Sequence, residues 1–310
     1  MGRQKITHCG RGTRTHYREV DIYCYRHVPR SRGKRRHEST PAQMELNNRR
    51  SRRYFHQLIK SNFTDCDYRM DLTYDDEHLP ASREEAVKLV TNMLKRMARL
   101  REKMGLEPMK WICVEEGFEN GGRPHHHLII SGGIDRDTLE AMWTKGKGRS
   151  AEALGYVRVE HLRFDNEGIE GLVKYITKQT LKSEKERAGA TAGQLSLADV
   201  EGGGIDEDDL IGGGLPKGKK AWRSSHNLIK PHERTRDNAY SRRDVEKVVS
   251  CPPDCEDTRR LFEARYKGYA LDRCRYAYNE VLGMWSIRLD MHRKEGPDIS
   301  RTDCGHGDCG

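Results

Sequence analysis

The chain has 310 residues, 35% of them apolar and 34% charged, with a formal net charge of +9. This length allows about two domains, and the low apolar share leaves room for exposed arms or linkers. No apolar run approaches the roughly 18 residues of a bilayer-spanning helix, and Met1 to Gly12 lack the apolar segment of a signal peptide, so a soluble cytoplasmic protein is expected.

The charge is uneven, with sixteen Lys/Arg against four Asp/Glu in residues 1–60. Such clustering draws polyanions by long-range attraction and counterion release, which points to nucleic acid before membrane. Nine cysteines without a repeating spacing argue for reduced thiols. Cys251 with Cys255, and Cys304 with Cys309, lack the two-residue spacing of a zinc knuckle.

In chain order, residues 1–16 read as a basic tail, followed by a strand over Glu19 to Val28. A charged loop, Pro29 to Arg36, leads to a helix over residues 42–60. That helix carries Arg49, Arg50, Arg52 and Arg53 beside Tyr54 and Phe55, a combination suited to backbone contact and base stacking or simply to a solvated helix face. Tyr68 to Tyr74 alternates with period two and reads as a half-buried strand. Ser82-Arg83-Glu84-Glu85 is a capping box, and the apolar stripe Ala86, Val87, Val90, Met93, Leu94, Met97, Leu100 and Met104 follows it at helical spacing until Gly105.

Trp111 to Glu116 and His125 to Ser131 form an antiparallel hairpin. Asp135 to Trp143 reads as a short helix and Tyr156 to His161 as a strand. Asp165-Asn166 caps a helix to about Leu181 with Ile169, Leu172, Val173 and Ile176 as its buried stripe; Tyr175 lies at the stripe's edge and Lys178 one turn on. Residues 183–220, rich in glycine and charge, read as a linker or mobile loop. Order returns at Trp222, with a short helix opening at Ser241 and a hairpin over 274–291 that turns near Glu280 to Gly283. The expected organisation is a basic region at 1–60, a central domain at 61–182, the linker, and an α+β appendage at 221–310.

His125 and His127, two apart on a strand, leave it on one face and can share a cation. The hairpin brings Glu116 or Glu115 alongside, and parity alone does not choose between them. Two neutral imidazoles and one carboxylate leave coordination positions open, which suits catalysis with Mg²⁺ or Mn²⁺, water and a phosphate oxygen. A single histidine here would read as a polar strand end; the hairpin and its glutamates raise the metal reading beside it.

Pro124-His125-His126-His127 before an apolar run, an upstream glutamate on the neighbouring strand, and the downstream Tyr175-Ile176-Thr177-Lys178 together resemble the HUH endonucleases. Within these the pattern is most similar to the single-tyrosine rolling-circle replication initiators of phages and plasmids. The strand ending Asp71-Leu72-Thr73-Tyr74 resembles their first motif, and the likeness covers about residues 60–180.

The resemblance implies an α+β fold whose central antiparallel sheet is of the ferredoxin-like type, with helices on one face and the metal and tyrosine on the other. Its spacing favours Glu116 over Glu115. The middle histidine, His126, departs from the bulky apolar residue usual there. The implied chemistry is nicking and joining of single-stranded DNA at a replication origin. The metal at His125, His127 and Glu116 polarises the scissile phosphate, and Tyr175 attacks to leave a 5′-phosphotyrosyl link and a free 3′ hydroxyl. Lys178 steadies the phosphate or lowers the phenol's pKa. Host helicase and polymerase are the implied partners, and a lone tyrosine points to a second protomer for completing a cycle. Rival readings are a relaxase or transposase with the same chemistry, and a non-catalytic DNA-binding regulator that leaves the His-Glu-Tyr-Lys set without a purpose.

Overall fold

A computed structural model describes residues 2–10, 16–24, 41–118, 122–146, 148–164, 169, 171–173, 222–280 and 283–294. The first half contains β1 (Gly2–Cys9), β2 (Tyr17–Cys24), α1 (Pro41–Asn62), β3 (Tyr68–Thr73), α2 (Arg83–Lys103), β4 (Trp111–Glu116) and β5 (His125–Ile130). There follow α3 (Arg136–Glu140), the two-residue strands β6 (Thr144–Lys145) and β7 (Glu152–Ala153), and β8 (Val157–His161). The last part supplies β9 (Trp222–Ser224), β10 (His232–Tyr240), α4 (Arg242–Val249), α5 (Glu256–Arg265), β11 (Tyr269–Asn279) and β12 (Met284–Arg293). No helix among the described residues is long and apolar enough to cross a membrane.

The strands form two antiparallel five-stranded sheets in an α+β fold, besides the small β6–β7 pair. The central sheet has the order β8-β3-β5-β4-β9. Period-two alternation gives it two apolar faces. Met70, Leu72, Cys113, Leu128 and Ile130 point to α2 and bury against Ala86, Val90, Met93 and Met97. The helix begins where expected, since Ser82 Oγ accepts from Glu85 N at 3.2 Å, and it ends at Gly105, whose φ of +68° suits glycine. Ile112, Val114 and Ile129 point the other way, against Phe55, Leu58 and Ile59 of α1 and against Ile169, Leu172 and Val173. Helical residues therefore cover both faces, where the sequence pattern implied one; Phe55 is buried in that second core rather than offered for stacking.

The second sheet, β10-β1-β2-β12-β11, joins strands from the two ends of the chain. Residues 2–9, which the sequence pattern places in a basic tail, are its strand β1. Their cations are answered across β10, where Arg3 pairs with Asp237 at 2.6 Å and Lys5 with Glu233 at 2.6 Å. Strands of the expected N-terminal region and C-terminal appendage thus pair directly, β2 with β12 in register from Tyr17–His292 to Ile22–Ile287. Val20, Ile22, Leu271, Ile287 and Leu289 face α4 and α5 in a third core that includes Val245 and Phe262.

The opposite face of β2 carries Glu19 and Asp21 toward α1. Arg53 Nε donates to Glu19 at 2.7 Å and its Nη2 to Asp21 at 2.6 Å, while Gln57 Nε2 donates to Glu19 at 2.7 Å. The helix is thereby fixed to both sheets, by apolar packing on one side and by ions on the other. Cys9, Cys24, Cys113, Cys251, Cys255 and Cys274 are free thiols.

Burial raises the Glu19 pKa, but Arg53, His56 and Arg288 outweigh it and hold the carboxyl well below its usual range. A depressed folded pKa stabilises the fold above the unfolded value and is lost as pH falls through the folded one. Glu19→Gln should lower stability by about 3–5 kcal/mol at neutral pH, because Arg53 and Arg288 lose their anion. Urea unfolding would read this, and the variant should lose less stability than wild type on acidification below about pH 4.5.

Candidate metal centre

β4 and β5 pair with Glu116 opposite His125 and Val114 opposite His127, and β3 places Asp71 opposite His127. Partners in an antiparallel pair share a face, so Glu116, His125, His127 and Asp71 stand together at one end of the α1-covered face. His125 Nε2 lies 3.2 Å and His127 Nε2 3.4 Å from the same Glu116 oxygen, Oε2. The donor atoms of the three residues all lie within 4.8 Å of one another.

The other ring nitrogens are held by acceptors. His125 Nδ1 is 2.9 Å from the Arg123 carbonyl oxygen and His127 Nδ1 is 2.6 Å from Asp71 Oδ1. A carbonyl and a carboxylate accept only, so both Nδ1 atoms carry the proton and Nε2 is directed at the common point. Arg69 holds Asp71 in turn, with Nη2 donating at 2.6 Å. Gly117 makes the carbonyl contact possible: at φ +83° its backbone passes so close to Arg123 that a Cβ would lie 2.0 Å from the carbonyl oxygen.

The electrostatics agree with this geometry. Glu116 bonding raises the His125 pKa against burial. Burial lowers that of His127, but Asp71 and Glu116 outweigh it and the net shift is upward. Burial of Glu116 is outweighed by the two histidines, which lower its pKa. Glu116 Oε1 is buried with no hydrogen-bond partner among the described residues. A buried carboxylate with Oε2 facing two imidazole nitrogens and Oε1 uncommitted fits a small divalent cation, and the residues present leave further coordination positions to water or substrate.

Glu115 and His126 point to the α2 side of the sheet. Glu115 is held by Arg223 at 2.5 Å and Arg83 at 3.3 Å. His126 is fully buried, with Nε2 2.7 Å from the Tyr74 hydroxyl. Burial, reinforced by Arg223, lowers its pKa to about 3, so it is neutral. Cys113, Glu115 and His126 also bring donor atoms within 4.8 Å of one another. Two guanidinium groups beside that set oppose a second cation, and burial pushes the Cys113 thiol up to about 12.

Tyr175 and Lys178 lie outside the described residues. Of the helix expected to carry them, Ile169, Leu172 and Val173 are buried as its stripe required. The sequence pattern marks Asp71 only as part of a motif; its role at His127 depends on the β3–β5 register, which no local pattern carries.

Residues 67–180 match the family model described as replication-associated protein ORF2/G2P. That span takes in β3, the Glu116–His125–His127 set and the positions of Tyr175 and Lys178. No curated protein and no solved structure matches the chain.

Removing the carboxylate behind a metal-bound histidine lowers affinity about 10–100-fold. Asp71→Ala should therefore weaken Mn²⁺ binding by about that factor in calorimetry. Glu116→Gln should weaken it at least as much, and Glu115→Gln should leave it near wild type.

Proposed function

We propose that the chain is an HUH-type, single-tyrosine endonuclease that initiates rolling-circle replication by nicking and rejoining single-stranded DNA at an origin. The observation that carries the reading is the convergence of His125 Nε2 and His127 Nε2 on one oxygen of Glu116. It lies inside the stretch similar to replication-associated proteins. A bound Mg²⁺ or Mn²⁺ would polarise the scissile phosphate and offset the charge that builds up during in-line displacement.

Within this reading the chain's own groups have separate tasks. His125, His127 and Glu116 hold the site, and Asp71 and the Arg123 carbonyl orient the imidazoles. Tyr175 Oη attacks phosphorus; the bond to the 3′ oxygen breaks, that oxygen takes a proton, and the 5′ phosphate stays on the tyrosine. Lys178 steadies the phosphate or favours the phenolate, since a phenol of pKa about 10 is a weak nucleophile at neutral pH. Reversal by a 3′ hydroxyl rejoins the strand. A second protomer would supply another tyrosine, and host helicase and polymerase would use the opened strand in a cytoplasmic setting.

Incubation with origin-like single-stranded oligonucleotides and Mg²⁺ or Mn²⁺ should give a covalent adduct that survives denaturation. Tyr175→Phe should give none while still binding DNA; an adduct of equal yield would sink the assignment. His125→Ala with His127→Ala should abolish cleavage and leave most of the binding, which rests on phosphate contacts elsewhere.

A further inference from the structure

α1 does not close fully onto the second sheet. Between them lies a cleft of about 410 Å³, within the usual range of ligand pockets, about 300–1,000 Å³. Arg49, Arg52 and Arg53 of α1 form one wall, and Arg273, Arg275 and Arg288 of the β11–β12 hairpin form the other. With Lys60, seven cationic side chains line the cleft against two carboxylates, Asp272 and Asp290.

Part of this charge is held in place. Arg53 is tied to Glu19 and Asp21, Arg288 reaches Glu19 at 3.3 Å, and Arg275 is bound to Asp290. These bonds fix the direction of three guanidinium groups, while Arg49, Arg52 and Arg273 add further cationic heads to the same walls.

Two aromatic rings complete the lining. Tyr17 and Phe164 are stacked, with centroids 6.2 Å apart and 26° between planes, and Lys60 Nζ lies 4.7 Å above the Tyr17 ring. Arginines on facing walls suit a chain of phosphates, and aromatic faces suit unpaired bases. Ile169 and Val173 also line the cleft and precede Tyr175 by six and two residues. A strand held there would run beside the segment that leads to the proposed nucleophile.

We infer that this cleft is a second, sequence-tolerant binding site for single-stranded DNA, separate from the Glu116–His125–His127 centre, which grips the strand flanking the point of cleavage. The inference rests on the reading of the chain as an enzyme of single-stranded DNA, but it concerns binding and needs neither metal nor Tyr175.

The test uses the full chain in EDTA with a fluorescein-labelled oligothymidylate, read by fluorescence anisotropy across a salt series. Arg49→Gln with Arg273→Gln should weaken binding about tenfold or more at about 0.15 M salt, and each phosphate deprived of its arginine should reduce the slope of log K against log salt by about 0.7. Arg49→Lys with Arg273→Lys should restore much of the affinity and the slope, which a purely structural role would not predict. Thermal unfolding and Mn²⁺ binding of the double glutamine variant should match wild type. Should it fail to fold, Arg49→Gln alone, on the exposed side of α1, should still lower the slope by about 0.7.

Wild-type affinity and slope in a folded glutamine variant would overturn the inference. If wild type forms the covalent adduct yet the cleft variants bind normally, the cleft fails and the nuclease reading stands. If binding depends on the cleft but no adduct forms, the reverse holds.

Discussion

The register between β4 and β5 is the constraint on which the candidate centre depends. Strand side chains alternate with period two, so pairing Glu116 with His125 places Glu116, His125 and His127 on one face and Glu115 and His126 on the other. A slip of one residue would present Glu115 in place of Glu116. The ladder is held from both sides, β3 pairing with β5 and β9 with β4. Ile112, Val114 and Ile129 add apolar burial on the face of the triad, and Cys113, Leu128 and Ile130 on the other. The carboxylate and imidazoles are brought together by the same packing that makes the sheet stable.

Burial on both faces also explains the two glutamates. Adjacent on one strand, they meet opposite environments. Glu115 lies between Arg83 and Arg223 and serves as a structural anion. Glu116 meets two imidazoles whose far nitrogens are already occupied, and keeps one oxygen without a partner among the described residues. Charge compensation by arginine favours structure, whereas compensation by imidazole leaves room for a cation.

α1 links this centre to the rest of the chain. Its apolar side closes the triad's face of the central sheet, and its basic side meets Glu19 and Asp21 on the second sheet. An ionic seam of this kind contributes less net stability than apolar packing of the same size, because desolvation offsets most of the attraction. Its consequence is positional. The two ends of the chain, paired in one sheet, are held beside the central sheet and present a cationic wall there.

Much of this is legible in local pattern. The amphipathic stripe and cap of α2, the β4–β5 hairpin, the buried Ile169, Leu172 and Val173, and the capping box at Ser241 follow from period and end signals carried within a few residues. The His-Glu set stands out for the same reason. Strand β1 is not legible, because Gly2 to Cys9 has no apolar alternation and its basic residues are answered by acids more than two hundred positions away. Strand β10 has polar residues at nearly every position, and its pairing with β1 defines it.

The sequence by itself thus determined the α+β elements, their apolar faces and the set of possible metal ligands, since these depend on periodicity and residue chemistry along a short stretch. Only the tertiary structure decided that Glu116 and not Glu115 meets the histidines, that His126 is a neutral core residue bound to Tyr74, that Asp71 orients His127, and that the chain's two ends share a sheet. Each of these depends on strand register or on contacts between distant segments, and a linear pattern does not encode which strands lie side by side.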